Sequence, residues 1–254
     1  MPSISGQNVL VIGGSSGIGF AVAKLSIEQG CRVSIASSSR AKVDGAVARL
    51  RASSPAAAKD AAVVGGSTVD LASEDCETQL EGLFTSVTAA GGPLDHVVVT
   101  SGTPEARPLG EIDLPWLTSI SRLTLFAPMV LVKLAPKFLR PGYASSIILT
   151  TGQVAEKPIP GYTIRAPLAA AQHGLARSAA LDIAPLRINV VAPGATETEM
   201  WGAQADVLRE VVSKKSLLGR PASPEDVAEA YVYLMRNVDA TGSIVSSSAG
   251  ATLQ

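Results

Sequence analysis

The stretch Val9-Leu10-Val11-Ile12-Gly13-Gly14-Ser15-Ser16-Gly17-Ile18-Gly19 constrains this chain more than any other. An apolar run short enough for a strand ends in a glycine turn and passes directly into residues spaced for a helix. The spacing is G-x-x-x-G-x-G rather than the commoner G-x-G-x-x-G, but the physics is shared. Glycine lets the chain turn tightly and lets backbone N–H groups approach an anion at a helix N-terminus. Ser15 and Ser16 add hydroxyl donors. The pattern predicts a pyrophosphate cradle made of Gly13, Ser15, Ser16, Gly17, Ile18 and Gly19; the plainer alternative is a turn and nothing more.

The alternation continues along the chain. Asn8–Ile12, Arg32–Ala36, Ser67–Leu71, His96–Thr100, Ser146–Thr150, Ile188–Val191 and Ser243–Ser246 read as strands. Ile18–Gln29, Arg40–Leu50, Glu74–Ala89, Leu114–Leu139, Leu168–Ile183 and Pro224–Met235 read as helices. The last of these opens on Ser223-Pro224-Glu225-Asp226, with a capping serine, a first-turn proline and acidic residues near the positive end of the helix. Strands without polar alternation, separated by helices, predict a parallel sheet covered on both faces. The expected fold class is a doubly wound α/β domain of about seven strands spanning residues 1–254, with ligands beyond the carboxyl ends of the strands. The Ala/Ser-rich stretch Ala52–Ala58 is too short to divide domains and reads as a loop or a frayed helix end.

Composition narrows the partners. With 254 residues, 46% hydrophobic and 17% charged, the chain is too apolar for disorder and needs no disulfide or metal staple. A net charge of −1 gives no basic surplus for nucleic acid. Cys31, Cys76, His96 and His173 form no metal-ligand spacing, so no metal is expected. Leu123–Leu134 is apolar but short for a membrane span, and the N-terminus lacks a basic stretch ahead of a long apolar run. A cytoplasmic domain of enzyme size is the expectation.

The end of the second strand, Ser37-Ser38-Ser39-Arg40, lacks the acidic residue that holds the ribose hydroxyls of NAD. Three serines and an arginine suit a 2′-phosphate instead, which points to NADP(H). A solvent-facing helix cap with an exposed arginine is the alternative. Asp70 either accepts from an adenine amino group or caps the next helix.

With these residues in view, the whole chain resembles the short-chain dehydrogenase/reductase family, whose fold is Rossmann-like. The glycine loop Gly13–Gly19, Asp70-Leu71, Arg187–Gly194, Thr198, Gly219-Arg220-Pro221, Pro224–Ala228 and Thr241-Gly242 carry the resemblance. It implies cofactor contacts at Asp70, Leu71, Gly102, Pro193, Gly194, Thr196 and Thr198, and a homodimer or homotetramer built on Leu114–Leu139 and Leu168–Ile183.

Departures from the family pattern bear on chemistry. The family's Asn-Asn-Ala-Gly is Val99-Thr100-Ser101-Gly102 here, and its catalytic serine falls on Thr151. Its Tyr-x-x-x-Lys pair is missing: Tyr162 is followed four residues later by Ala166, and the alternative register puts Arg165 and Ala169 at the two positions. A tyrosine without a nearby cation has a pKa near 10 and serves poorly at neutral pH. Arg165 is one available cation. Arg122, in an otherwise apolar helix, either reaches the active-site mouth or packs as a surface or interface arginine. Glu156 and Lys157 either form an exposed pair or act on substrate, and His96 and His173 read as structural.

After Gly194, residues 195–218 correspond to the family's substrate lid, for which Met200, Trp201, Leu208, Leu217 and Leu218 offer an apolar wall suited to a bulky substrate. The favoured reading is NADPH-dependent reduction of a bulky carbonyl, imine or iminium metabolite of secondary metabolism, with Thr151, Tyr162, Arg122 and Arg165 as candidate catalytic residues. A redox-neutral cyclase (of Diels–Alder type), isomerase or dehydratase on the same scaffold is the second. The absence of the Tyr–Lys pair resembles divergent family members of fungal indole-alkaloid pathways that join iminium reduction to cyclisation. A non-enzymatic NADPH-binding regulator is the third, since fold alone does not fix function.

Overall fold

The computed structural model describes residues 2–54, 64–103 and 105–254. Its strands are β1 (Asn8–Ile12), β2 (Arg32–Ser37), β3 (Val64–Thr68), β4 (His96–Val99), β5 (Ser146–Thr150), β6 (Arg187–Pro193) and β7 (Ile244–Ser247). They form one parallel sheet in the order β3-β2-β1-β4-β5-β6-β7. The chain winds outward from β1 to β3, returns to the middle at β4 and winds the other way. The crevice between β1 and β4 is the switch point at which such sheets bind ligands. There the N–H of Thr100, just after β4, donates to Ile12 O at 2.8 Å.

The helices are α1 (Gly17–Glu28), α2 (Arg40–Ser53), α3 (Cys76–Gly91), α4 (Leu114–Ser121), α5 (Ala127–Leu134), α6 (Arg165–Asp182), α7 (Ala205–Lys215) and α8 (Pro224–Arg236). Successive strand residues point to opposite faces. Val9, Val11, Ile35, Val98 and Ile148 pack with Val22, Val43 and Tyr231 of α1, α2 and α8. Leu10, Ile12, Val97, Ile147 and Val190 pack with Leu80, Phe84, Leu131 and Ala176 of α3, α5 and α6. Both faces are covered, which is why the strands carry no polar alternation.

Three expectations need correction. The third strand lies at Val64–Thr68, not Ser67–Leu71. Its two glycines carry no strand signal, whereas Val69 and Leu71 are apolar because they enter the core just beyond it. The helix expected over Leu114–Leu139 is not one α-helix. A π-helical turn, Arg122–Phe126, separates α4 from α5, and a 3₁₀ turn, Ala135–Lys137, ends the run. The Ala127 N–H reaches back to Arg122 O, and buried Gln172 of α6 donates to Thr124 O at 2.8 Å. Finally, α6 starts at Arg165, earlier than expected. Ala52 and Ser53 close α2, and residues 55–58 lie outside the described ones.

By length and composition Leu114–Lys137 is apolar enough to cross a membrane. Ala127, Leu131, Val132 and Leu134 join the core with Val97 and Ile147, so part of this apolarity serves packing on the sheet, while Leu114, Phe126 and Met129 are exposed. At the far end, buried Arg187 donates to the carbonyls of Leu234, Met235 and Asn237 at the end of α8, and burial lowers its pKa to about 10. The start of α8 is a capping box: the Ser223 hydroxyl accepts from Asp226 N–H and the Asp226 carboxylate from Ser223 N–H.

Candidate active site

The turn between β1 and α1 is defined by close approach. Gly13 has a φ of +94°, and a Cβ there would stand 2.6 Å from Ser101 N and Thr100 Oγ1. A Cβ on Gly19 would run into Gly13 O and the same Thr100 hydroxyl. The first turn of α1 and the loop after β4 thus close on one another with no room for a side chain. No acidic residue lies in the first turn of α1. These features fit a dinucleotide pyrophosphate: the close-packed glycine turn delivers the N-terminus of α1, the positive end of a helix, to the switch point. An anionic group is already drawn there, since Gly17 N–H donates to Glu199 Oε2 at 2.9 Å.

The remaining predicted cofactor residues are placed as follows. Ser15 is buried, and its carbonyl accepts from Arg49, whose guanidinium also stacks 4.1 Å from the centre of the Phe20 ring. Ser16 is the exposed N-cap of α1, and Ile18 is half-buried. At the carboxyl end of β2, Ser37 is half-buried and Ser38 exposed. Ser39 caps α2 by accepting from Lys42 N–H, and Arg40 pairs with Asp44 at 3.0 Å in the open. Asp70 neither ends a strand nor caps α3. It lies beyond β3, where its Oδ1 accepts from Ala72 N–H at 3.0 Å, and the N-cap of α3 is Asp75. Leu71 is buried in the core. Gly102 is exposed in the loop after β4, and Pro193 closes β6. A Cβ on Gly194 would meet Ser248, and buried Thr196 donates to Gly194 O at 3.1 Å. Thr198 lies on the glycine loop, its Cγ2 3.1 Å from where a Cβ on Gly17 would stand. A cleft of about 420 Å³ opens here between Gly17 and Phe20 of α1, Thr198 and Glu199, and Pro224 at the start of α8.

The residues expected on the reacting side begin at the end of β5. The two threonines there divide their roles. Thr150 Oγ1 donates to Val99 O at 2.6 Å and lies 2.7 Å from the hydroxyl of buried Tyr231, so it belongs to the core. Thr151 is anchored by its N–H to Val191 O, and its Oγ1 is 3.1 Å from His173 Nε2 on α6. Burial holds the His173 pKa below its usual value; Glu156 opposes this and Arg177 adds to it. Glu156 does not form the exposed pair expected with Lys157; its Oε1 accepts from Ser246 Oγ at 2.6 Å.

The other candidates are engaged elsewhere. Arg165 donates to Thr103 O and Glu105 O, tying the start of α6 to the loop after β4, and burial lowers its pKa. Arg122 opens the π-helical turn and pairs with Glu74 at 3.3 Å. Tyr162 is half-buried, and among the described residues no hydrogen bond joins its hydroxyl to Thr151. In the 195–218 segment, Glu199–Gln204 forms 3₁₀ turns ahead of α7. Met200, Leu217 and Leu218 are exposed and Trp201 and Leu208 half-buried. Thr100, Arg49, Glu199 and His173 touch the glycine loop or Thr151, and pattern reading did not single them out for the site. Only Thr100 carried a signal, standing where the family has asparagine.

A family profile described as an SDR-like Rossmann domain matches residues 3–254. The chain belongs to the short-chain dehydrogenase/reductase family. It is 45% identical over 258 residues to the short-chain dehydrogenase/reductase ATR9 of Stachybotrys chlorohalonatus, covering 100% of both chains. It is 36% identical to malC of Malbranchea aurantiaca over 99% of this chain and 96% of the relative. The solved structure of the MalC reductase/Diels–Alderase superposes with a TM-score of 0.91, covering 99% of this chain and 98% of that one. A short-chain dehydrogenase of Burkholderia cenocepacia, solved in complex with NADP, is 25% identical with a TM-score of 0.85, covering 98% of this chain and 99% of its own.

Proposed function

We propose that this protein is an NADP(H)-dependent reductase of a bulky, mainly apolar carbonyl, imine or iminium metabolite of secondary metabolism. The observation that carries the proposal is the close-packed turn of Gly13 and Gly19 that opens α1 at the switch point, together with a β2 end with serines and Arg40 in place of a carboxylate. Bound NADPH supplies the hydride. Around it, the N-terminus of α1 and Thr198 hold the pyrophosphate, Ser37–Arg40 the 2′-phosphate, and the Thr151 hydroxyl orients the acceptor atom. Residues 195–218 act as a lid that excludes water, with Trp201 and Leu208 towards the substrate. Tyr162, Arg122 and Arg165 shape or polarise the pocket. The solved short-chain dehydrogenase with NADP supports the choice of cofactor. We place the protein in the cytoplasm as a homodimer or homotetramer, with exposed Leu114, Phe126, Met129 and Leu181 of α4–α6 in the interface.

A second reading, cyclisation in addition to reduction, is favoured by the likeness to a protein described as a reductase/Diels–Alderase. Calorimetric titration with NADPH and NADH is the first test. NADPH binding at least about tenfold tighter, worth about 1.4 kcal/mol, supports the cofactor assignment. Folded protein that binds neither nucleotide overturns the reductase reading. Cyclised product formed alongside cofactor oxidation favours the second reading.

A further inference from the structure

We propose that His173 is a positioning and proton-relaying residue acting through Thr151, and that the two replace the missing Tyr–Lys pair for acceptors whose oxygen must be protonated. This rests on the reductase reading. The geometry carries it: Thr151 Oγ1 lies 3.1 Å from His173 Nε2, at the carboxyl end of the interior strand β5, while the adjacent Thr150 is consumed by the core. His173 is half-buried on α6. The charged groups bearing on it are Glu156, in the loop after β5, and Arg177, one turn further along α6. Glu156 is held in place by Ser246 of β7.

For a ketone the step balances as follows. The carbonyl π bond opens as hydride from a reduced nicotinamide, oxidised in the step, forms the C–H bond. The oxygen takes the Thr151 hydroxyl proton, and Thr151 takes the Nε2 proton of the imidazolium. His173 is left neutral and regains its proton from water. Protonated Nε2 can only donate, so it turns the Thr151 hydroxyl hydrogen towards the acceptor. An iminium carbon accepts hydride and needs no proton.

The pH sign follows from the lowered His173 pKa. The imidazolium grows as pH falls below 6.5, so ketone reduction speeds up in that direction while iminium reduction stays level.

The test uses the full chain with NADPH, 2-tetralone as ketone probe and N-methyl-3,4-dihydroisoquinolinium as iminium probe. In His173→Gln, kcat for the ketone is expected to fall roughly 100-fold, the lower end for a lost general acid, with KM within about threefold and a flat pH profile. Iminium turnover should hold within about threefold, a change too small to signal a lost proton donor. Equal losses on both probes, or an unchanged ketone profile, overturn the proposal. The reductase reading fails separately if the folded wild-type protein binds neither NADPH nor NADH. Imidazole NMR decides on the dyad, the two histidine signals being assigned with His96→Gln. A His173 titration midpoint displaced by Thr151→Val, with His96 unmoved, supports the pairing, and an undisplaced midpoint overturns it.

Discussion

The loops after β1 and β5 lie at the same edge of the sheet and are built in opposite ways. The first is a backbone device: Gly13 and Gly19 work by lacking a Cβ, and Thr100 and Ser101 close on that vacancy. The second works through side chains, with Thr151 on His173 and Glu156 on Ser246. A site defined by missing atoms has few chemical substitutes. A site defined by a hydroxyl and its proton source has several, because another element facing the same crevice can supply the donor. This is why the first loop keeps the family's pattern here and the second does not.

The largest expected effect comes from filling the backbone device. Gly19→Val drives a side chain into Gly13 O and should weaken NADPH by roughly two orders of magnitude or more, about 3 kcal/mol or above. Calorimetry measures it, and circular dichroism separates it from unfolding. Binding within a few-fold of wild type would break the comparison, because the loop would then have slack.

Thr151→Val should act next, and differently. With the hydroxyl gone but the shape kept, kcat should drop roughly 100-fold, as when one donor to a developing oxyanion is removed. NADPH affinity should stay put, and Thr151→Ser should restore most of the rate. Matched losses of cofactor binding and rate would mean that the two loops are one device.

The same contrast governs what pattern reading could find. Layer order, both packed faces and the glycine cradle were legible because they rest on periodicity and on glycine, which leave marks along the chain. The Ser223 cap of α8 was legible from its local serine, proline and acidic residues, while the reciprocal Asp226 bond appears only in the structure. β3 was misplaced because an edge strand carrying Gly65 and Gly66 leaves no such mark. The π-helical turn at Arg122–Phe126 is fixed by an i→i+5 bond and by Gln172 from another helix, neither of which spacing reveals. His173 and Arg49 resemble an apolar-face histidine and a surface arginine until the fold sets them against Thr151 and Ser15.

Arg40→Ala probes the border between the two kinds of site, since a side chain extends the backbone cradle there. Among the described residues Arg40 pairs with Asp44 alone and stands in the open, so its removal leaves the fold intact. A charge-assisted contact to a 2′-phosphate is worth about 1.5–3 kcal/mol, so NADPH should weaken about 10- to 100-fold. NADH should change by less than about threefold, there being no phosphate to lose. Equal weakening of both nucleotides would remove Arg40 from the phosphate site and leave the serines as a helix cap alone.

The smallest effect separates the two histidines, both with lowered pKa values but at opposite ends of the sheet. His173 has one hydrogen-bond partner among the described residues, the hydroxyl at the crevice. His96, at the start of β4, is 0% exposed and uses both ring nitrogens, with Ser146 Oγ at 2.9 Å and Gln7 Oε1 at 2.8 Å. Burial first, and Arg187 second, push its pKa down to about 3 from 6.5. The folded chain therefore binds this proton less readily than the unfolded one. The stability contributed by neutral His96 is full above pH 6.5 and is lost as pH falls from there towards 3. The loss reaches at most about 1.4 kcal/mol per pH unit. Urea titrations at pH 7 and pH 5.5 should show the midpoint falling in the wild type and falling less in His96→Gln, while NADPH affinity at pH 7 is the same in both. A pH dependence that survives in His96→Gln and disappears in His173→Gln would assign the acid sensitivity to the crevice instead, and the proton that loosens the fold would be the one the active site uses.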